Sequence, residues 1–534
     1  MTETIDRGGA TPVAPAATLR RYAAHRATLP ESLAARVAAG PARIFLVEDG
    51  RALSYGAFAA EVEAAAAALE TLGVGVGDRV AVMAPTGIDL VRALFAIVRL
   101  GAVFVPVNPD LRAGEAAALF ARARPRLVLH AAGLAPVLDE ALAGIETRVM
   151  DLTDGFAGTW RGRGRAPAAA GPAPQDTCLV LFTSGTTGTP KGVMHAHRSF
   201  VVAGEGFVER QWIQPDDRML CILPMFHVNA LFYSLGGALA AGATLVLGGR
   251  FSASRFWPLA VESGATQVNM LGSIGRILAL RPRSEFLPGH RLDRVYCVPM
   301  PEDVERVFRA EFGVRWIAEG YGMSEVPGIL AQPYGEPPRA GTMGRICRHP
   351  DGRALGEVRI VDEDGRDAAS GAAGTLLVRT ELAMQGYFED PETTRRSFRD
   401  GYFVTGDRVR EVAPGLYAFV ARDKDMIRRR GENIAAAEID QAALACPGVA
   451  EAAAVAVPSE LGEDDILIAA VPRAGAALSA EDLHAFLRAR LTPAKLPRYV
   501  AIVGELPLGP TQRVLRFRLA QDPALRARAR DFAR

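Results

Sequence analysis

Short, wholly apolar runs recur along this 534-residue chain and alternate with helical stretches of ten or more residues, and few architectures accept that rhythm. A run of four to six apolar residues bounded by turn formers reads as a strand buried on both faces. A helix between two such strands carries the chain back over the sheet. The pattern begins with Ile44-Phe45-Leu46-Val47, turns at Asp49-Gly50, and enters an Ala-rich helix over 56–72. Strands over 78–83 and 102–107 flank a helix that ends near Leu100. Further strands are expected at 219–223 and 244–247, with a helix over 230–240 between them. Strand–helix–strand repetition predicts βαβ units and parallel sheets.

From Gly356 the rhythm changes to short strands separated by turns, at 357–361 and 375–378, which predicts a β-rich subdomain. Beyond Arg422 the segments 434–444, 449–457, 465–471 and 480–491 read as a compact α+β unit. The expected fold class is therefore α/β. A large N-terminal domain of βαβ-type sheets plus the β-rich subdomain would span 21–421, and a small α+β domain 422–534. Residues 1–20, rich in Ala, Pro, Gly and Thr, are expected to be a disordered tail.

Composition narrows the class of activity. Basic and acidic residues nearly cancel, 61 against 60, which leaves no electrostatic reason to expect nucleic acid or an anionic membrane as partner. The five cysteines (Cys178, Cys221, Cys297, Cys347 and Cys446) show no CxxC spacing. That pattern suits a reducing, cytoplasmic setting and argues against a zinc site or a disulfide framework. The most apolar region, 93–107, is interrupted by Arg99 and is too short to span a bilayer.

One segment carries chemistry. The run Leu179-Val180-Leu181-Phe182 is followed by Thr183-Ser184-Gly185-Thr186-Thr187-Gly188-Thr189-Pro190-Lys191-Gly192. Glycines allow the backbone close to a phosphate, hydroxyls and N–H groups donate to its oxygens, and a lysine adds a mobile positive charge. A Walker A loop is excluded, because Lys191 follows Pro190 and Gly192 stands where a magnesium-binding Ser or Thr belongs.

The whole segment resembles the phosphate-binding loop of the adenylate-forming, AMP-binding superfamily, of the acyl-CoA synthetase type, and further segments resemble that family in the same order. Glu319-Gly320-Tyr321-Gly322-Met323-Ser324-Glu325 is similar to the family's aromatic-Gly-x-Thr-Glu segment. The resemblance implies that Tyr321 stacks on adenine and that Ser324 and Glu325 help to hold phosphates and Mg²⁺, with Thr183 as a second metal-facing oxygen. Thr405-Gly406-Asp407 resembles the segment whose Asp binds both ribose hydroxyls. Arg422-Asp423-Lys424-Asp425 resembles the hinge segment, which places Arg422 toward ribose and phosphate and makes Lys424 the pivot of a mobile C-terminal domain. Gly431-Glu432-Asn433-Ile434 resembles the loop that this domain brings to the site for the second half-reaction. His227, in Pro224-Met225-Phe226-His227, matches a position beside the acyl pocket and phosphates. His195 and His197 read as helix-entry residues. Phe251-Ser252-Ala253-Ser254-Arg255-Phe256-Trp257 and Arg430-Gly431-Glu432-Asn433 look like the carnitine/crotonobetaine-CoA ligase branch.

What the resemblance implies is an ATP-dependent, AMP-forming ligase that joins a carboxylic acid to a thiol, with ATP, Mg²⁺ and coenzyme A as its small-molecule partners. Lys191, Glu325, His227 and Arg513 are its expected catalytic residues. The nucleotide site would draw on Thr183, Ser184, Gly185, Thr186, Thr187, Gly188, Lys191, Glu319, Gly320, Tyr321, Gly322, Met323, Ser324, Asp407, Arg422 and Lys424. A homodimer is a further expectation.

Two departures stand out. Where the family ends in Pro-x-Thr-x-x-Gly-Lys, with a lysine that bridges acid and α-phosphate, this chain has Pro507-Leu508-Gly509-Pro510-Thr511-Gln512-Arg513. Only Lys191, Lys424 and Lys495 are lysines, and all three fall where the family has lysine, so loss at Arg513 is not a general drift to arginine. Cys297-Val298-Pro299-Met300 replaces a Gly-Gly-Ala-type adenine segment. Two alternatives therefore stand beside the ligase. One is a same-fold enzyme that passes an activated acid, nitrite included, to an amine or other nitrogen nucleophile. The other is a nucleotide-binding pseudoenzyme.

Overall fold

The computed structural model describes residues 13–160, 170–183, 190–336, 339, 341–422, 426–429, 432–459, 464–509 and 514–532. Packing divides the chain into two compact units, one comprising residues up to 358 with 378–403, the other 359–377 with 404–534.

Two seven-stranded sheets form the first unit. In one, the strands run in the order Trp316–Ala318, Arg294–Val298, Gln267–Leu271, Arg218–Cys221, Thr244–Leu247, Ile44–Glu48 and Arg51–Ser54. Its pairings are parallel until the final hairpin. That hairpin turns at Asp49 and Gly50 with φ of 44° and 78°, the paired positive angles that a two-residue loop needs to match strand twist. The second sheet runs Gly386–Tyr387, Lys191–Ala196, Thr177–Thr183, Val103–Val107, Arg79–Met83, Leu127–His130 and Arg148–Asp151. It is parallel from Thr177–Thr183 onward and antiparallel at its other end. The Val103–Val107 strand is buried at every position, as a strand with helices on both sides must be.

The Ala-rich helix is Tyr55–Thr71, started by Ser54, whose hydroxyl accepts from the Ala57 N–H. It buries Phe58, Val62, Ala65, Ala66 and Leu69 on its inner face. The helix expected over 230–240 begins with a wide π-helical stretch, Asn229–Leu235, before becoming α-helical at Gly236–Ala241. Gly204 lets the Gly236 backbone lie against it, since a Cβ on Gly204 would meet the Gly236 carbonyl carbon at 2.5 Å.

The expectation of disorder fails for residues 13–20. Pro15–Leu19 forms a helical turn, Thr18 is fully buried, and the Val13 N–H donates to Gln214 Oε1 at 2.7 Å. Proline at the first turn and two long-range bonds to Gln214 outweigh the disorder-prone composition.

The second unit holds the antiparallel pair formed by Tyr402–Ala413, from Val404 onward, and Leu416–Arg422. It also contains a four-stranded sheet of Val449–Pro458, Asp464–Pro472, Tyr499–Ile502 and Arg530–Asp531. Alternate residues of these strands enter opposite cores. Ala454, Ile466, Ile468 and Val500 pack with the Ala436–Leu444 and Ala480–Arg488 helices, while Val455, Leu467, Ala469 and Ala501 pack with Leu519 and Leu525.

Candidate active site

The site in the first unit grows from the antiparallel end of the second sheet. Thr177–Thr183 and Lys191–Ala196 pair so that Thr183 lies opposite Lys191 and Phe182 opposite Gly192. Gly192 is required there, because a Cβ would meet Val180 Cγ1 at 2.8 Å. Thr183 and Lys191, both half-buried, thus emerge side by side at the mouth of the connection between the two strands. The loop residues Ser184, Gly185, Thr186, Thr187 and Gly188 lie outside the described residues, as do Lys424, Gly431 and Arg513.

The edge strand Gly386–Tyr387 pairs with Lys191–Ala196, Tyr387 opposite Val193 and Gly386 opposite Met194. Lys191 Nζ lies 5.3 Å from the centroid of the Tyr387 ring. The Tyr387 hydroxyl donates to Glu325 Oε1 at 2.8 Å. Burial, helped by the adjacent carboxylate, pushes the Tyr387 phenol up, so it remains a donor across the neutral range.

Glu325 stands on a tight hairpin. Met323 and Val326 exchange both backbone hydrogen bonds, at 3.0 and 3.1 Å, which leaves Ser324 and Glu325 as the two tip residues. Each tip carbonyl is held from outside. The Met384 N–H donates to the Glu325 carbonyl at 2.7 Å, and His195 Nε2 is 2.7 Å from that of Ser324. His195 was expected at a helix entry; it lies instead within the Lys191–Ala196 strand, fully buried, and burial lowers its pKa to about 4. A neutral ring whose Nε2 carries the proton is what the Ser324 carbonyl requires. His197 does open the His197–Gln211 helix, and its Nδ1 accepts from the Leu29 N–H at 3.3 Å.

Glu319, Gly320 and Tyr321 lead into this hairpin. Tyr321 is buried in a short strand paired with Leu330–Ala331. Gly322 leaves no space for a side chain, as a Cβ would meet the Gly328 nitrogen at 2.5 Å and the Tyr233 hydroxyl at 2.9 Å. Glu319 accepts from the backbone N–H of Met300, so the departure at Cys297-Val298-Pro299-Met300 is tied to the adenine-type segment by a side chain. Burial pushes the Glu319 carboxyl up to about 7, with Glu305 adding to the rise. His227 is half-buried, its ring tilted 55° against Phe226 at 4.6 Å.

In the second unit, Asp407 and Arg422 face each other across the Tyr402–Ala413 and Leu416–Arg422 pair. Arg422 Nε lies 3.0 Å from Asp407 Oδ1. Asp407 is buried, and its N–H donates to Thr405 Oγ1 at 3.0 Å, while the Thr405 hydroxyl donates to the Leu376 carbonyl.

The structure thus brings Thr183, Lys191, Ser324 and Glu325 into one network in the first unit, and Asp407 with Arg422 into one pair in the second. Tyr387 and His195 are the members that sequence reasoning missed. A Gly-Tyr dipeptide some two hundred residues from the loop carries no local signal, and a histidine inside a strand differs from one at a helix start only once its pairing is known.

For a divalent cation, the described residues contain no group of three or more His, Cys, Asp or Glu side chains. Only Oε1 of Glu325 is hydrogen-bonded among the described residues, so the carboxylate keeps one oxygen to offer. One carboxylate, a nearby hydroxyl and substrate phosphates form a donor set that suits magnesium, which retains several waters.

Comparison with known proteins gives the same picture. The AMP-binding enzyme family model matches residues 33–388, and that of the AMP-binding enzyme C-terminal domain matches 438–513. A sulfoacetate–CoA ligase from Cupriavidus necator is 33% identical over 503 residues, covering 92% of this chain and 97% of that protein. A crotonobetaine/carnitine–CoA ligase from Escherichia coli is 28% identical, covering 85% of this chain and 90% of that protein. The ATP-bound crystal structure of MatB from Rhodopseudomonas palustris superposes with a TM-score of 0.84 at 25% identity, covering 92% of this chain and 98% of that one.

Proposed function

Because this chain belongs to the AMP-binding enzyme family, we propose that it is an ATP-dependent, AMP-forming ligase that activates a carboxylic acid as its acyl-adenylate and transfers the acyl group to coenzyme A. The observation that carries this reading is the convergence of Lys191 and Glu325 on Tyr387, inside the matched region.

In the first half-reaction a carboxylate oxygen of the acid attacks the α-phosphorus of ATP, and the bond to pyrophosphate breaks. Little covalent chemistry falls to the protein, so its work is positioning and electrostatic stabilisation. Lys191 offers its ammonium to phosphate oxygens, and the hydroxyls of Thr183 and Ser324 donate to them. Glu325, with Thr183, would hold magnesium, which when bound neutralises phosphate charge. Tyr321 stacks on adenine, Asp407 accepts from the ribose hydroxyls, and Arg422 pairs with that carboxylate and aims it. Arg513 takes the place of the lysine that would meet acid and α-phosphate together. In the second half-reaction the thiol sulfur of coenzyme A attacks the acyl carbon, the bond to AMP breaks, and the thiol proton leaves to solvent. The domain that begins near 422 turns about Lys424 between the two, and His227 borders the acyl group. A cytoplasmic setting belongs to this reading and is supported by five free, buried cysteines. No helix among the described residues is long and apolar enough to cross a membrane.

The test is acid-dependent ATP–pyrophosphate exchange over a panel that includes sulfoacetate, crotonobetaine, short fatty acids, amino acids and nitrite, followed by AMP release with coenzyme A or an amine. Exchange with an organic acid and coenzyme A-dependent AMP release are expected. AMP release driven by the amine alone would overturn the acceptor, and ATP binding without exchange on any acid would overturn the ligase.

A further inference from the structure

We propose that Tyr387 is the positioning residue through which the phosphate lysine and the metal-facing carboxylate of this site are aligned. The proposal rests on the reading of Lys191 and Glu325 as phosphate- and magnesium-facing groups and adds a residue to that machinery.

Four observations lead to it. The Tyr387 hydroxyl donates to Glu325 Oε1 at 2.8 Å, while the face of its ring lies 5.3 Å from Lys191 Nζ. One side chain therefore touches both groups, which come from segments more than a hundred residues apart. Tyr387 is itself held rigidly. Its N–H donates to Thr394 Oγ1 at 2.8 Å, the Gln385 N–H to the Met194 carbonyl at 2.9 Å, and the Phe388 N–H to the Gly192 carbonyl at 2.7 Å. Gly386 adopts φ 147°, and a Cβ there would meet Thr394 Cγ2 at 2.8 Å, so the backbone that aims Tyr387 accepts only glycine. Finally, the Glu325 backbone is pinned independently by Met384, and its neighbour Ser324 by His195. The remaining freedom of the Glu325 carboxylate lies in its side-chain torsions, and the Tyr387 hydroxyl is the group that removes it.

A carboxylate on the tip of a two-residue hairpin otherwise samples several rotamers. Tying Oε1 to a fixed phenol selects one and presents Oε2 in a constant direction, the arrangement by which hydrogen-bond partners of a ligating group tune metal affinity. The ring contact does a second task. It restrains the Lys191 ammonium by attraction to the aromatic face without neutralising the charge, which stays available to phosphate.

Tyr387→Phe separates the two tasks, since it keeps the ring and deletes the hydroxyl. Calorimetric titration of the full-length protein with ATP, with magnesium present and again with EDTA, is the test. Affinity for ATP with magnesium is expected to fall about 10- to 100-fold, the usual effect of losing such a partner, while affinity for metal-free ATP holds within about twofold. Tyr387→Leu is expected to weaken metal-free ATP as well, through Lys191. In a Glu325→Ala background Tyr387→Phe should add nothing, because no side-chain acceptor is left for the hydroxyl. Equal losses with and without magnesium, or a Tyr387→Phe effect that persists in Glu325→Ala, would overturn the proposal and leave Tyr387 a packing residue. Should Tyr387→Phe fail to fold, Thr394→Val, which releases Tyr387 only through its backbone N–H, must show the same magnesium-selective loss for the proposal to stand. Failure of the wild type to bind ATP at all would instead sink the nucleotide reading beneath it.

Discussion

Glu319→Gln tests how the adenine-type segment is held, and its effect can be sized from the structure. The Glu319 carboxyl is half-buried, accepts from the Met300 N–H, and faces Glu305 with the thiol of Cys297 and the phenol of Tyr296 nearby. Burial is the largest influence and raises its pKa from 4.5 to about 7. Between those values the folded chain keeps a proton that the unfolded chain has released. Stability therefore falls as pH rises across the window, and the loss is complete above it. At about 1.4 kcal/mol per pH unit, the interval amounts to roughly 3 kcal/mol. Glutamine retains a carbonyl oxygen for the Met300 N–H but cannot ionise, so it escapes this cost. Urea denaturation followed by tryptophan fluorescence, with Trp316 three residues away, should find the two proteins within about 0.5 kcal/mol at pH 4.5, the ordinary size of a neutral replacement. The variant should gain steadily, to roughly 3 kcal/mol at pH 8. Parallel pH curves, or a difference that grows toward acid, would refute the burial argument.

Other expectations follow from particular contacts. Asp217 is paired with the fully buried Arg294 and also accepts from Thr266 and the Gln214 N–H, so Asp217→Ala takes from a buried guanidinium its nearer carboxylate and leaves Asp293, at 3.9 Å, as the counter-charge. A loss of about 3–5 kcal/mol is expected in the same urea assay, and a loss below about 1 kcal/mol would contradict it. Asp407→Asn keeps the shape of a buried group but removes the charge opposite Arg422, and should raise the KM for ATP about tenfold or more with a smaller change in kcat. An unchanged KM would remove Asp407 from the nucleotide site. Arg513→Lys restores a compact point charge where this chain carries a planar fork, and acid-dependent pyrophosphate release should increase by up to about 10²-fold. No gain on any accepted acid would show that arginine serves this chain as well as lysine.

Local sequence was enough for the elements whose signal is local. The run Val103–Val107 is apolar at all positions because helices cover both its faces, and the Asp49-Gly50 dipeptide set a two-residue hairpin by its tolerance of positive φ. The Ala-rich helix, the alternating strands of the second unit, and the segments around Lys191, Glu325, Asp407 and Arg422 were all legible for the same reason: periodicity, turn chemistry and family motif are written in consecutive residues. Residues 13–20 show the limit of composition, since their order comes from Gln214, far along the chain.

What tertiary structure decided is everything that depends on which distant strands become neighbours. Lys191-Gly192-Val193-Met194-His195-Ala196 has a glycine and a histidine in place of clean alternation, and it is a strand because Thr177–Thr183 and Gly386–Tyr387 flank it. That pairing buries His195 as a neutral ring beneath Ser324, and it sets Tyr387 between Lys191 and Glu325. Consecutive residues by themselves carried the Thr/Gly-rich segment that ends in Lys191, the Ser324-Glu325 pair and Thr405-Gly406-Asp407, each resembling a family motif. The alignment of Lys191 with Glu325 was decided by contacts between residues far apart in the chain, whose free energy no local window of sequence contains.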